Sequence, residues 1–282
     1  MKLPLQLAAE VERNVLTALA EDIGAGDLTA LLTSPTRRSL GTVISREDAV
    51  LAGTAWFNAC FRHLDPEVII RWSAHDGERV ESGQTLCAIE ANTRALLTAE
   101  RTALNFLQLL SATATLTRRY VEAVVGTQAK IVDTRKTIPG LRLAQKYAVT
   151  CGGGTNHRLG LYDGILIKEN HIMAAGGVTA ALNQARAIGR NDVFIQIEVE
   201  TMDQLAEALN AGATMILLDN MDMDEMHQAV EYTAGRAELE ASGGIRLETV
   251  RAIAETGVNR ISVGGLTKNV RGIDLSLRHS EG

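Results

Sequence analysis

Apolar positions across residues 7–20 recur at helical spacing and predict an opening helix. The EDIGAGD stretch (residues 21–27) then breaks the pattern as a loop. Short alternating segments follow at 41–44 and 67–72, and residues 76–90 alternate turn, strand, turn, strand. A single long helix is predicted from 94 to 125. Beyond it the rhythm changes. Six apolar runs of strand character end at Asp133, Lys168, Val199, Asn220, Ser242 and Gly265. Helical patterns lie between them at 141–149, 178–188, 202–211, 223–232 and 247–256. Alternating strands and helices imply a parallel sheet with helices on its face. The later strand ends recur every 21–23 residues. That constancy favours a closed barrel over an open doubly wound sheet, and no GxGxxG motif opens the first unit to argue otherwise.

Glycine usage divides the chain at the same place. Residues 1–112 hold six glycines and residues 113–282 hold nineteen. The expected organisation is therefore an N-terminal α+β domain with a connecting helix over 1–112, and an α/β barrel over 113–282. The 282 residues (30.3 kDa) can bury a core in each. An apolar fraction of 46% with 22% charge excludes a disordered chain, and 4% aromatics argues against a sandwich with an aromatic core. A net charge of −6 without a basic tail argues against a nucleic-acid binder. An anionic ligand would have to meet positive charge focused in one cleft. Cys60, Cys87 and Cys151 are an odd number with no CxxC, so buried thiols in a reducing compartment are expected. The N-terminal stretch mixes acids with apolar residues and gives no signal-peptide pattern. The weakly polar run at 103–117 is too short to span a bilayer. A soluble, cytoplasmic protein without membrane partners is expected.

Barrel enzymes carry their chemistry in the loops after the strands. The strand ends here bring, in order, Thr134, Arg135 and Lys136, then His157 and Arg158, then Lys168, then Glu198, then Asp219, then Ser242-Gly243-Gly244, and finally Gly264-Gly265. Each charge alone has a bland reading as a solvated loop residue. Polar residues at the ends of so many successive apolar strands do not. Several cations on one rim call for a strongly anionic ligand. Arginine matches planar carboxylates with two prongs, and lysine serves phosphate as a point charge. The glycine turns suit a phosphate cradle. Glu198 and Asp219 suit either a hydrated magnesium ion beside phosphates or a developing positive charge. Glu169, Glu200 and His171 are weaker candidates, His171 being of a kind that more often caps or packs. No HExxH or cysteine pair supports zinc. These residues suggest one phosphate-bearing and one carboxylate-bearing substrate.

The stretch DTRKTIPGLRLAQKYAVTCGGGTNHRLGLYDGILIKENHI (133–172) resembles the signature of the quinolinate phosphoribosyltransferases. IEVE (197–200), LLDN (217–220), SGGI (242–245), VGGLT (263–267), EDIGAGDLT (21–29) and AERTALNFLQLLS (99–111) continue the likeness along nearly the whole chain. The resemblance implies an N-terminal α+β sandwich-like domain, a seven-stranded TIM-like α/β barrel and a homodimer with shared active sites. The reaction it implies joins quinolinate to phosphoribosyl pyrophosphate, with magnesium, and releases pyrophosphate and CO2. The product is nicotinate mononucleotide, in NAD biosynthesis.

By the same resemblance, Arg135, His157 and Arg158 bind the quinolinate carboxylates, and Arg101 arrives from the neighbouring subunit. Lys136 and Lys168 lie near the carboxylate and the phosphoribosyl group, and Glu198 and Asp219 near the ribose and its magnesium. Ser242–Gly244 and Gly264–Leu266 cradle the 5′-phosphate, with Lys268 where many members carry histidine. Lys136, Glu198 and Asp219 are the expected catalytic groups, and Thr134 an expected substrate contact. Two other readings compete: a related phosphoribosyltransferase with another acceptor, and a carrier module suggested by the hairpin-like DGERVESGQTL. The carrier reading lacks its acceptor, since residues 73–93 contain no lysine.

Overall fold

The computed structural model describes residues 5–188 and 192–281. The start of the N-terminal stretch examined for a leader, residues 1–4, lies outside them. In chain order the main elements are α1 (Leu5–Ile23), β1 (Arg38–Ser45), β2 (Ala49–Val50), α2 (Thr54–Leu64), β3 (Ile69–Trp72), β4 (Arg79–Val80), β5 (Thr85–Asn92) and α3 (Thr93–Ala123). Then come β6 (Lys130–Val132), α4 (Arg142–Cys151), β7 (Gly164–Ile167), α5 (Glu169–Ala175), α6 (Val178–Ala187), β8 (Phe194–Val199), α7 (Met202–Asn210) and β9 (Met215–Asp219). The chain continues through α8 (Met223–Thr233), β10 (Glu238–Ser242), α9 (Val250–Glu255), β11 (Arg260–Ser262), α10 (Gly265–Lys268) and β12 (Leu275–Glu281).

Two compact units interleave along the chain. The first comprises Met1–Arg118, Thr137–Gly153 and Leu266–Gly282, and the second Arg119–Lys136 and Gly154–Gly265. The first unit is built on an antiparallel sheet ordered β12-β1-β5-β3, with β2 and β4 paired separately. Its strand β12, which the hydrophobic pattern did not announce, pairs with β1 in the register Leu40↔Ser280 and Val43↔Leu277. The core is apolar. In α1, Val11, Val15 and Leu19 recur every fourth residue and are buried, as one helical face requires. Trp56, Phe57 and Phe61 of α2 are fully buried with Leu86 and Ile89 of β5 and Leu104, Leu107 and Leu110 of α3. The one polar atom Trp56 brings inside is satisfied, because its indole N–H donates to Asn14 at 3.0 Å.

The second unit carries a parallel sheet ordered β6-β11-β10-β9-β8-β7. Helices cap as their sequences direct. Thr201 accepts the Gln204 amide at the start of α7, and Asp222 and Glu225 form a reciprocal capping box on α8. Alternate strand residues share a face. One face is apolar, with Ile197, Val199, Ile216, Leu218 and Ile261 buried. The other carries Gln196 and Glu198 on β8, Glu240 and Ser242 on β10, and Arg260 and Ser262 on β11.

The α/β class and the parallel sheet agree with expectation, but the strand count differs from the seven that the resemblance implied. Six strands are hydrogen-bonded. Between β6 and β7 in sequence, only Thr155 bridges, in parallel, to Val132. The loop 154–158 carries Asn156, His157 and Arg158, among whose bonds are those to the Asp133, Gln196 and His157 side chains. No helix among the described residues is long and apolar enough to cross a membrane. Cys60 and Cys87 are buried and Cys151 is half-buried; all three are free thiols, with burial pushing each up to about 12.

Candidate active site

The carboxyl ends of the second unit's strands gather two charge groups. The first follows β6 and the loop 154–158. Asp133, fully buried, accepts the His157 amide at 2.8 Å and the Asn156 side chain at 2.7 Å, which folds the loop back onto the strand end. This places Arg158 beside Arg135. Burial and the Arg135 charge together lower the Arg158 guanidinium from its ordinary value, and Asp163 opposes them. Arg158 Nη1 donates to the Gly164 carbonyl at 3.1 Å. Arg135 Nε is buried with no hydrogen-bond partner. Two adjacent guanidiniums, one with an orphaned buried N–H, form a site that awaits an anion.

The second group spans β6 to β10. Lys168 Nζ donates to Glu198 Oε2 at 2.8 Å. Asp219 senses Glu198, Lys168, Lys136 and the Ser242 hydroxyl. Its carboxyl is raised above 3.8, first by burial and then by the Glu198 charge, with both lysines pulling it down. Asn220 follows in the left-handed conformation (φ 56°), and its amide donates to Asp219 Oδ2 at 3.0 Å. That turn fits only because position 243 is glycine, at φ 102°, where a Cβ would overlap the Asn220 side chain. On the far side, Thr134 Oγ1 accepts the Lys136 amide at 3.1 Å. A Cβ on Gly264 would stand 3.0 Å from Lys136 Cδ and 3.6 Å from Thr134 Oγ1, so Thr134, Lys136 and Gly264 meet.

Of the residues singled out from sequence, Thr134, Arg135, Lys136, His157, Arg158, Lys168, Glu198, Asp219, Ser242, Gly243, Gly244, Gly264 and Gly265 all belong to the second unit. Arg101, exposed on α3, belongs to the first unit, as do Leu266 and Lys268 of α10. His171 caps, its Nδ1 accepting the Lys168 amide at 2.9 Å.

The His157 ring is turned inward. Its ring sits 8% exposed, with Nε2 2.8 Å from Gln196 Oε1 and Nδ1 accepting the Arg158 amide at 2.7 Å. Both ring nitrogens are engaged within the protein. Sequence reasoning also missed Gln196, Glu240 and Arg260. Their signal was there: polar residues at alternate positions of FIQIEV and AELEAS mark an enclosed polar face. Among the described residues no group of three or more His, Cys, Asp or Glu could hold a metal ion. Glu198 and Asp219 supply hard oxygen donors, the kind magnesium takes alongside oxygens of substrate and water.

Comparisons with known proteins cover nearly the whole chain. Residues 113–278 match the model of the quinolinate phosphoribosyl transferase C-terminal domain, and residues 27–111 that of the N-terminal domain. A probable nicotinate-nucleotide pyrophosphorylase [carboxylating] of Bacillus subtilis is 42% identical, covering 91% of this chain and 89% of its own. A quinolinate phosphoribosyltransferase [decarboxylating] of Nicotiana tabacum is 38% identical, covering 99% and 85%. The solved nicotinate-nucleotide pyrophosphorylase of Francisella tularensis superposes with a TM-score of 0.94 at 44% identity, over 99% of this chain and 98% of that one.

Proposed function

The chain belongs to the quinolinate phosphoribosyltransferase family, and from that premise we infer how its own residues divide the work. The enzyme transfers the phosphoribosyl group of phosphoribosyl pyrophosphate to quinolinate, with loss of pyrophosphate and CO2, and yields nicotinate mononucleotide for NAD biosynthesis. The observation that carries the assignment of roles is the paired Arg135 and Arg158, with the buried, unpartnered Nε of Arg135. Quinolinate brings two carboxylates to this pair. Lys136 and Lys168 hold phosphate and pyrophosphate oxygens. The turns at Ser242–Gly244 and Gly264–Leu266, with Lys268, receive the 5′-phosphate.

As pyrophosphate departs, positive charge develops on the ribose. Asp219 and Glu198 stand ready for it, and burial together with the Glu198 charge already raises the cost of negative charge on Asp219. The pyridine nitrogen becomes cationic on bond formation. It then draws in the electron pair that CO2 leaves at the ring carbon, and a proton from solvent completes the product. Orientation and charge complementarity suffice, and no covalent nucleophile is required. Glu198 and Asp219 would hold a magnesium ion, which would supply neutralisation of charge on the departing pyrophosphate.

The reading extends to closure of the second unit's sheet into a seven-stranded TIM-like barrel, with the loop at Thr155 in the seventh place. It includes a homodimer in which Arg101 enters the neighbouring subunit's site, cytoplasmic location, and no nucleic-acid partner. Mass spectrometry tests the acceptor. Purified protein with phosphoribosyl pyrophosphate and Mg²⁺ should give nicotinate mononucleotide and CO2 from quinolinate and nothing from nicotinate. Product from nicotinate alone would overturn the acceptor.

A further inference from the structure

Behind the arginine pair, a line of buried polar groups runs across the second unit's sheet. Glu240 on β10 is 1% exposed, Gln196 on β8 is fully buried, and Arg260 on β11 lies alongside. Arg260 Nε donates to Glu240 Oε2 at 3.0 Å, and Gln196 Nε2 donates to the same oxygen at 3.2 Å. A carboxylate only accepts, so Glu240 fixes which way the Gln196 amide faces. The amide oxygen is thereby turned to His157 Nε2, 2.8 Å away, which must carry the proton. His157 Nδ1 is then a pure acceptor, and it takes the Arg158 amide N–H. Every donor points toward Glu240, and the ring is the neutral Nε2–H tautomer.

This line is costly as mere structure. Glu240 Oε1 is buried without a partner, and Glu240 Oε2 stands 3.8 Å from the imidazole, where it would favour a charged ring. An apolar filling of the same volume would serve stability better. Its effect at the site is specific: it clamps the backbone at Arg158, whose guanidinium is held to the Gly164 carbonyl.

We propose that Gln196 and Glu240 are positioning residues for the acceptor, holding His157 as a neutral anchor for Arg158 and not as a direct ligand of a quinolinate carboxylate. The inference rests on Arg135 and Arg158 being the acceptor end of the site. Its consequence is selective. Loosening the line shifts Arg158 and weakens quinolinate binding, while the phosphoribosyl pyrophosphate end, on Lys168, Glu198 and Asp219, is left alone.

The test uses Gln196→Leu and Glu240→Gln in the full chain, with Arg135→Ala beside them. In Gln196→Leu the KM for quinolinate should rise about tenfold, the cost of one broken buried hydrogen bond, while the KM for phosphoribosyl pyrophosphate stays within about twofold. Imidazole ¹⁵N NMR should show the Nε2–H tautomer of His157 in the parent and its loss in the variant. Glu240→Gln preserves volume and decides the matter if Gln196→Leu does not fold, with the same selective rise expected. A purely structural role would lower the melting temperature and leave the ratio of the two KM values unchanged, which overturns the proposal. A strongly impaired Arg135→Ala beside a neutral Gln196→Leu sinks this inference alone. Unchanged quinolinate KM in Arg135→Ala and Gln196→Leu together would sink the reading of the acceptor end as well.

Discussion

The two units solve the problem of an interior in opposite ways. The first fills its core with Trp56, Phe57, Phe61 and leucines, the Trp56 indole N–H donating to Asn14, and also buries Asp65 and Lys146. The second keeps one sheet face apolar and gives the other to Gln196, Glu240 and Arg260, with one carboxylate oxygen left unpaired. Burial of apolar area is the cheaper way to hold a fold, and buried charge is the dearer. The contrast is one of arrangement: an aromatic cluster centres the first unit, and a polar sheet face marks the second.

Substitutions on either side sharpen that contrast. Arg135→Ala should lower turnover about a thousandfold or more, the scale for losing a group that meets transition-state charge. Circular dichroism and the melting temperature should stay near the parent's, and a fully active variant would undo the assignment. Phe57→Ala should act in reverse. It removes a fully buried ring and costs about 3–5 kcal/mol of stability, read by urea unfolding, with kcat per folded molecule unchanged.

Arg101→Ala asks whether the first unit contributes any charge to catalysis. Alone it should be inactive. Mixed with Arg135→Ala protein and allowed to exchange subunits, it should recover about a quarter of parental activity, because half the dimers are hybrids with one intact site each. No recovery, with exchange verified, would separate Arg101 from the site.

The smallest effect concerns Asp219. Its carboxyl titrates above 3.8 in the folded protein, so its ionised form weakens the fold. The stability it lends is complete below 3.8 and fades as pH rises through the elevated value. Asp219→Asn should therefore melt higher than the parent at neutral pH, with the gap closing on acidification, while losing activity. A lower melting temperature at pH 7 would show that the lysines outweigh burial and Glu198.

The sequence made the second unit legible because its strands repeat. Runs ending at Val199, Asn220 and Ser242 coincide with the ends of β8, β9 and β10 to within a residue. The long helix was legible from its apolar period, and α3 spans Thr93–Ala123. Strand β12 was not, because LSLRHSE is short, polar and exposed toward its end, and its partner is remote in sequence. The rim charges were visible because polar residues interrupt apolar runs. What they do to one another was not: the turning inward of His157 depends on Gln196 and Glu240, which share no local motif with it. Asn220 in the left-handed region was likewise hidden, since its license comes from the glycine at 243, just past the end of β10.

The pairing of β1 with β12 also sets a timetable. Strand β1 leaves the ribosome well before the residues that cover its edge, which lie far downstream in the chain. Until β12 is made, Arg38–Ser45 presents an open edge, a template on which another nascent chain can add a strand. Arg38 is exposed at its start, and Gly41 weakens strand propensity in its middle. Both blunt that edge during the wait, so the same residues that seem to make β1 a poor strand make it a safe one.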